Sequence, residues 1–186
     1  LRMNQNQHTD VLVDRLQRRR AQLAHVERLL QLRVDRPRFA HLPLDKVPVR
    51  REPGIEARVY SGTSGAVYAP SHTYLPLTLV DVRLAPDAVF EQELPSSYNG
   101  FLYPIDGEIT VDGTRPQRLA TGQIGWLEFG GPSTTVRLTA GKNGSRVMLY
   151  AGERQNVPIV TYGPFVGETH ADLMRMSRAY AEGRMP

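Results

Sequence analysis

The stretch "FEQELPSSYNGFLYPIDGE", Phe90 to Glu108, decides how the rest of the chain is read. It reads as a strand, a turn and a second strand that closes on Gly107. In a small metal-binding β-barrel this is the layout that carries the histidines, and here it contains none.

On both sides of it the sequence continues as short strands. "ARVYSG" leads into the glycine-rich turn "SGTSGA", and "TLVDVRL" sets Val80, Val82 and Leu84 on one face opposite Asp81 and Arg83. "GEITVDG" alternates Ile109 and Val111 with Glu108, Thr110 and Asp112, and its Asp112-Gly113 pair marks a reversal. "IGWLEF", "TVRLTA", "RVMLYAGE" and "PIVTYG" are read as further strands. With 14 prolines and 16 glycines as punctuation, this pattern predicts an all-β fold, a sandwich or a closed jelly-roll barrel that hides its strand edges.

A chain of 186 residues is long enough for one well-buried domain with an appendage. It has no cysteine, which excludes disulfides and any site built on thiolate ligands. No apolar run approaches the ~20 residues of a membrane span, and the N-terminal residues do not form a signal peptide, so a soluble, cytoplasmic protein is expected, with Met3 a candidate start. The net charge of +4 is uneven: residues 1–50 hold 11 Lys/Arg against 5 Asp/Glu, residues 51–186 hold 12 against 14.

That basic excess belongs to residues 1–34, read as an amphipathic helical leader. Leu12, Leu16, Leu23, Val26 and Leu30 form its apolar stripe and Thr9 its N-cap. Arg15, Arg18, Arg19, Arg20 and Arg28 lie on the other face as candidate partner-binding residues. Without accompanying aromatic residues or a DNA-binding motif, packing of the helix is favoured over nucleic-acid binding. Residues 35–54, with four prolines, are expected to run extended as an arm anchored by Phe39, Leu42 and Leu44. At the other end, Thr169 and Asp172 form a capping box for a helix over about 169–183, with Leu173, Met176 and Tyr180 on one face and Gly183 as its stop.

Three stretches carry a family resemblance: "PSSYNGFLYPIDGEITVDG", "RVMLYAGERQNVPIVTYGPFV" and the closing "GETHADLMRMSRAYAEGRMP". Together with the arm "PRFAHLPLDKVPV", they resemble the C-terminal half of the pirin family, within the cupin superfamily. The resemblance implies a single cupin barrel over residues 55–186, derived from a bicupin. In that family the N-terminal barrel holds an iron through three histidines and a glutamate. Members act as transcriptional co-regulators or quercetin dioxygenases. Residues 1–34 are too few for that first barrel, so the iron-binding domain is expected to be missing. The face that it would cover is expected to be covered by the leader, or by a second chain in a homodimer.

Cupin metal ligands follow a spacing that puts two histidines and a carboxylate on inward faces of adjacent strands, with a further histidine from across the barrel. With Gly107 as the closing glycine, the glutamate position falls on Gly100 and the histidine pair near Leu94 to Ser96; the second motif's histidine falls on Gly125. The histidines present, His8, His25, His41, His72 and His170, all lie elsewhere. No metal or other cofactor is therefore expected, short of an unconventional site such as His72 with Glu91 or Glu93. An interior lined by His72, Tyr98, Phe101, Tyr103, Trp126 and Phe129 is the candidate small-molecule pocket. The expected function is a metal-free, non-enzymatic binding or regulatory module. The alternatives are a quercetinase-like dioxygenase and nucleic-acid binding through the arginines.

Overall fold

Alternation of apolar and polar residues sets the strands of the computed structural model, which describes residues 41–71, 73–127 and 135–184. The leader of residues 1–34, Phe39, His72 and Phe129 lie outside the described residues. The chain divides into two units, one spanning Phe39–Arg154 and a second whose described part begins at Gln155.

The first unit is a jelly-roll barrel. A hairpin of β1 (Val49–Glu52) and β2 (Ile55–Ser61) turns at Gly54 and is followed by a small hairpin of β3 (Thr63–Ser64) and β4 (Val67–Tyr68). Then come β5 (Leu77–Leu84), β6 (Val89–Glu93), β7 (Tyr98–Val111), β8 (Gln117–Ala120), β9 (Gly125–Leu127) and β10 (Thr135–Glu153). All pairings are antiparallel.

Two long strands make the barrel. The C-terminal half of β10 pairs with β5 and with the first half of β7, while its N-terminal half pairs with β6 and with the end of β7. One layer is therefore β1-β2-β5-β10-β7-β9, the other β6-β10-β7-β8, and β7 and β10 belong to both. They bend together where the register jumps from Ala140↔Ile109 to Ser145↔Gly107. "TVRLTA" and "RVMLYAGE" are thus one bent strand rather than two. Pro104 does not end β7, because it sits beside a second register shift, where a missing N–H is tolerated.

Between the layers lie Val59, Val80, Val82, Leu102, Val147 and Leu149 from the first and Phe90, Ile109 and Leu138 from the second. Each fully buried side chain of this size contributes roughly 1.5–3 kcal/mol over the exposed state. On the outside of the second layer Arg137 pairs with Glu91 and Asp112, and Arg118 with Glu108.

The arm differs from its expected form. After a 3-10 turn at Leu44–Lys46, Val49–Glu52 is already sheet, with Val49 opposite Arg58, and Pro53 and Gly54 make the hairpin turn. Leu44 is exposed and does not anchor, whereas Val47 is buried. The strand escapes notice because "VRRE" has no apolar alternation; Arg50 fixes it instead. Its guanidinium donates to Glu52 at 2.7 Å, to the Ser64 hydroxyl at 3.2 Å and to the Glu91 carbonyl at 2.9 Å, over the Phe90 ring.

In the second unit β11 (Val160–Tyr162) and β12 (Phe165–Gly167) form a hairpin against helix α1 (His170–Ala181). The predicted capping box is present: Asp172 N donates to the Thr169 hydroxyl oxygen at 3.1 Å and Thr169 N to the Asp172 carboxylate at 3.0 Å. Leu173 is the buried residue of the helix, Tyr180 meets Phe165 edge-on, and Gly183 ends it at φ 65°. Among the described residues no helix is long and apolar enough to cross a membrane.

Candidate functional site

The barrel interior is the first place to look, because a cupin-type ligand set would point into it. Leu94 is buried in the core and Ser96 is exposed in the turn between β6 and β7. Gly100 lies on β7 between Ala151 of β10 and Leu127 of β9. A Cβ there would collide with the Tyr150 carbonyl oxygen and stand 2.8 Å from Ala151 Cα, so the position admits no side chain at all. At Gly125 a Cβ would fall on the end of the Leu119 side chain, a softer obstacle. The donor set does not fit a metal: the expected positions offer an apolar side chain, a surface hydroxyl and two glycines.

Nor does an unconventional set assemble from the described residues, among which no group of three His, Asp or Glu could hold a metal ion. Glu91 and Glu93 alternate with the inward Phe90 and Gln92, so they face outward, and Glu91 is engaged by Arg137. His41 and His170 are exposed, in different units.

What the interior does hold, among the described residues, is two buried polar atoms without a hydrogen-bond partner, Ser145 Oγ and Gln92 Oε1. Gln92 is buried on the inner face of β6, and its Nε2 donates to the carbonyls of Thr63 at 2.9 Å and Glu93 at 2.8 Å. Two carbonyls on the nitrogen fix the amide orientation, which leaves Oε1 as an acceptor without a partner. Among the described residues expected to line a pocket, Tyr98, half-buried against the core, is the one on an inward position. Burial, and then the charge of Glu153, push its phenol above the ordinary tyrosine value.

The other described aromatic residues of that set, Phe101, Tyr103 and Trp126, are brought together on the opposite side of the sheet. Along β7 the inward positions are Gly100, Leu102 and Pro104, so Phe101 and Tyr103 project outward. Phe101 stacks on Tyr150 of β10 with centroids 4.8 Å apart and meets Trp126 of β9 edge-on at 5.4 Å. Trp126 is 75% exposed. Phe101, Tyr103 and Trp126 therefore form an outer aromatic face, joined by Tyr150, rather than a pocket lining.

Beside this face the structure places an ion pair that the sequence does not announce. Asp81 is only 2% exposed, although it alternates with inward valines, and it accepts from Arg146 Nε at 2.9 Å and from a terminal nitrogen of the same guanidinium at 2.7 Å. The hydrogen bonds to Asp81 hold the Arg146 guanidinium above its ordinary pKa. The pair locks the outer surface of β5 to β10. Its sequence signal is faint: two opposite charges on strands whose pairing is not known in advance.

Comparison with known proteins agrees with this fold. The family described as "Pirin C-terminal cupin domain" matches residues 79–186. Pirin-like protein 2 of Arabidopsis thaliana is 26% identical over 151 residues, 80% of this chain and 47% of its own length. Pirin of Homo sapiens is 26% identical over 137 residues, 74% of this chain and 47% of its own. A crystal structure of quercetin 2,3-dioxygenase from Acinetobacter baumannii superposes with a TM-score of 0.66 at 26% identity, over 79% of this chain and 46% of that one. The chain thus spans about half the length of the curated relatives it matches. With a bent-strand barrel and the family match over residues 79–186, this chain belongs to the pirin family.

Proposed function

We propose that the barrel of this chain works as a metal-free, non-enzymatic binding or regulatory module, and that its outer aromatic face is where it meets a protein, either a partner or a second copy. The observation that carries the reading is Gly100: at the expected carboxylate position the backbone of β10 leaves no room for any side chain. The exposed Trp126, backed by Phe101 and Tyr150, supports the second part, since aromatic anchors of this kind dominate protein interfaces.

A dioxygenase reading draws on the name of the Acinetobacter baumannii relative. Elemental analysis of purified protein, with oxygen uptake on quercetin, separates the two. Absence of stoichiometric iron, nickel, manganese or copper, with no uptake, supports the binding module; a stoichiometric metal with turnover overturns it. Trp126 is the only tryptophan of the chain, so its emission reports on the aromatic face. A blue shift on self-association, abolished by Tyr103→Ala on the same face, is expected for a dimer through that face.

A further inference from the structure

The chain contains two Asn-Gly pairs, Asn99-Gly100 and Asn143-Gly144, and the fold treats them in opposite ways. We propose that Asn143 is a self-modification site, converted without an enzyme to aspartate and isoaspartate, while Asn99 is protected.

The chemistry needs three things: a side-chain amide, a following backbone nitrogen free to approach it, and a local backbone able to close a five-membered ring. Glycine at the following position removes the Cβ that would obstruct the ring. In the step itself the Gly144 nitrogen attacks Asn143 Cγ, forming a new C–N bond. The Cγ–Nδ2 bond breaks, and ammonia departs with the proton that the Gly144 nitrogen gives up. Water then opens the resulting succinimide. Cleavage between the Gly144 nitrogen and Cγ gives aspartate; cleavage between that nitrogen and the main-chain carbonyl carbon gives isoaspartate. Only ammonia leaves and only water enters, and nothing is oxidised or reduced.

The bend in β10 is what sets Asn143 apart. Ala140 pairs with Ile109 and Ser145 with Gly107, so residues 141–144 stand opposite Glu108 alone and bulge out of the ladder. Lys142 and Asn143 are exposed. Lys142 is tied to Asp87 at 3.1 Å, but the Asn143 side chain makes no hydrogen bond among the described residues. Gly144 cannot be replaced without strain: its φ is 77°, and a Cβ would stand 2.6 Å from the Leu84 carbonyl oxygen. The bend that joins the two layers thus demands the residue that makes Asn143 labile.

Asn99 is the internal control. It is exposed too, yet Asn99 pairs with Gly152, and Gly100 pairs with both Ala151 and Leu127. The Gly100 backbone is thus held in a ladder on both sides, so the ring closes only after the strand opens.

The test is peptide mapping of the folded full chain aged at neutral to mildly alkaline pH in heavy-oxygen water, with isoaspartate detected by enzymatic methylation, alongside the urea-unfolded chain. Conversion at Asn143 is expected to outrun Asn99 at least about tenfold in the folded protein, because the ladder must open locally before Gly100 can react. Similar rates at the two positions are expected once the chain is unfolded. Equal conversion in the folded state overturns the proposal, as does an intact Asn143 under conditions that convert the unfolded chain. Asn143→Ser, at an exposed position, is expected to abolish the acidic species that isoelectric focusing resolves on ageing; if that species persists undiminished, the site is elsewhere.

Discussion

The Asp81–Arg146 pair predicts an asymmetry between its two halves. Replacing Arg146 by Met leaves a carboxylate that is 2% exposed without its bidentate partner. Removing one partner of a fully buried pair costs about 3–5 kcal/mol. The Arg146 side chain is 38% exposed, so water reaches part of the vacated space, which brings the cost to roughly 2–3 kcal/mol. Replacing Asp81 by Asn costs less, about 1 kcal/mol, because the guanidinium turns to solvent and the amide keeps an acceptor. The double variant should recover part of the Arg146→Met loss, giving a coupling of about 1–2 kcal/mol. Urea unfolding followed by far-ultraviolet circular dichroism measures all three, and the Arg146→Met midpoint should fall by roughly 4–12 °C in a thermal scan for a chain of this size. If Arg146→Met costs no more than Asp81→Asn, the buried charge is not what the pair protects and the reasoning fails.

Gly100→Ala should destabilise the barrel by about 2–4 kcal/mol, since the added methyl meets the β10 backbone, whereas Gly113→Ala, whose Cβ would meet only the Arg115 carbonyl oxygen at 3.8 Å, should be nearly neutral; equal midpoints for the two would refute the closed-site geometry. For the helix, hydrogen bonding from Thr169 first, and then from Arg175, holds the Asp172 carboxyl below its ordinary value. Because that pKa is depressed in the folded chain, the stabilisation is present above the unfolded value and is lost as pH falls through the folded one. An Asp172 carbonyl-carbon NMR titration should therefore show a midpoint below that of a model aspartate, moving back towards it in Thr169→Ala.

Much of the barrel is legible because one face of each strand is dry and the other wet. In "TLVDVRL" period two alone identifies Val80, Val82 and Leu84 as core, and they are buried. Where both faces are apolar the rule loses its grip. "GFLYP" offers Phe101 and Tyr103 against Leu102, and nothing in the alternation says which set is interior; the structure chooses Leu102 and turns the aromatic residues out. β1 was invisible for the opposite reason, since its side chains are polar on both faces and its hold on the barrel comes from Arg50 reaching Ser64 and the Glu91 carbonyl, contacts distant in sequence.

The absence of histidine between Phe90 and Glu108 can be read from the sequence, but its consequence cannot. A missing ligand is ordinarily a reversible loss, restored by one substitution in a cavity that still has the right shape. Gly100 is different, because the obstacle to a carboxylate there is the main chain of a neighbouring strand rather than another side chain. Main-chain position is set by the register of β7 on β10, and that register is pinned by the bend at Gly107 and Gly144, two glycines with positive φ whose Cβ atoms would each meet a carbonyl oxygen. Grafting histidines at Leu94 and Ser96 would therefore not by itself rebuild a cupin metal site. The carboxylate would have to enter from another strand, and on β6 the two glutamates of this chain already face the wrong way.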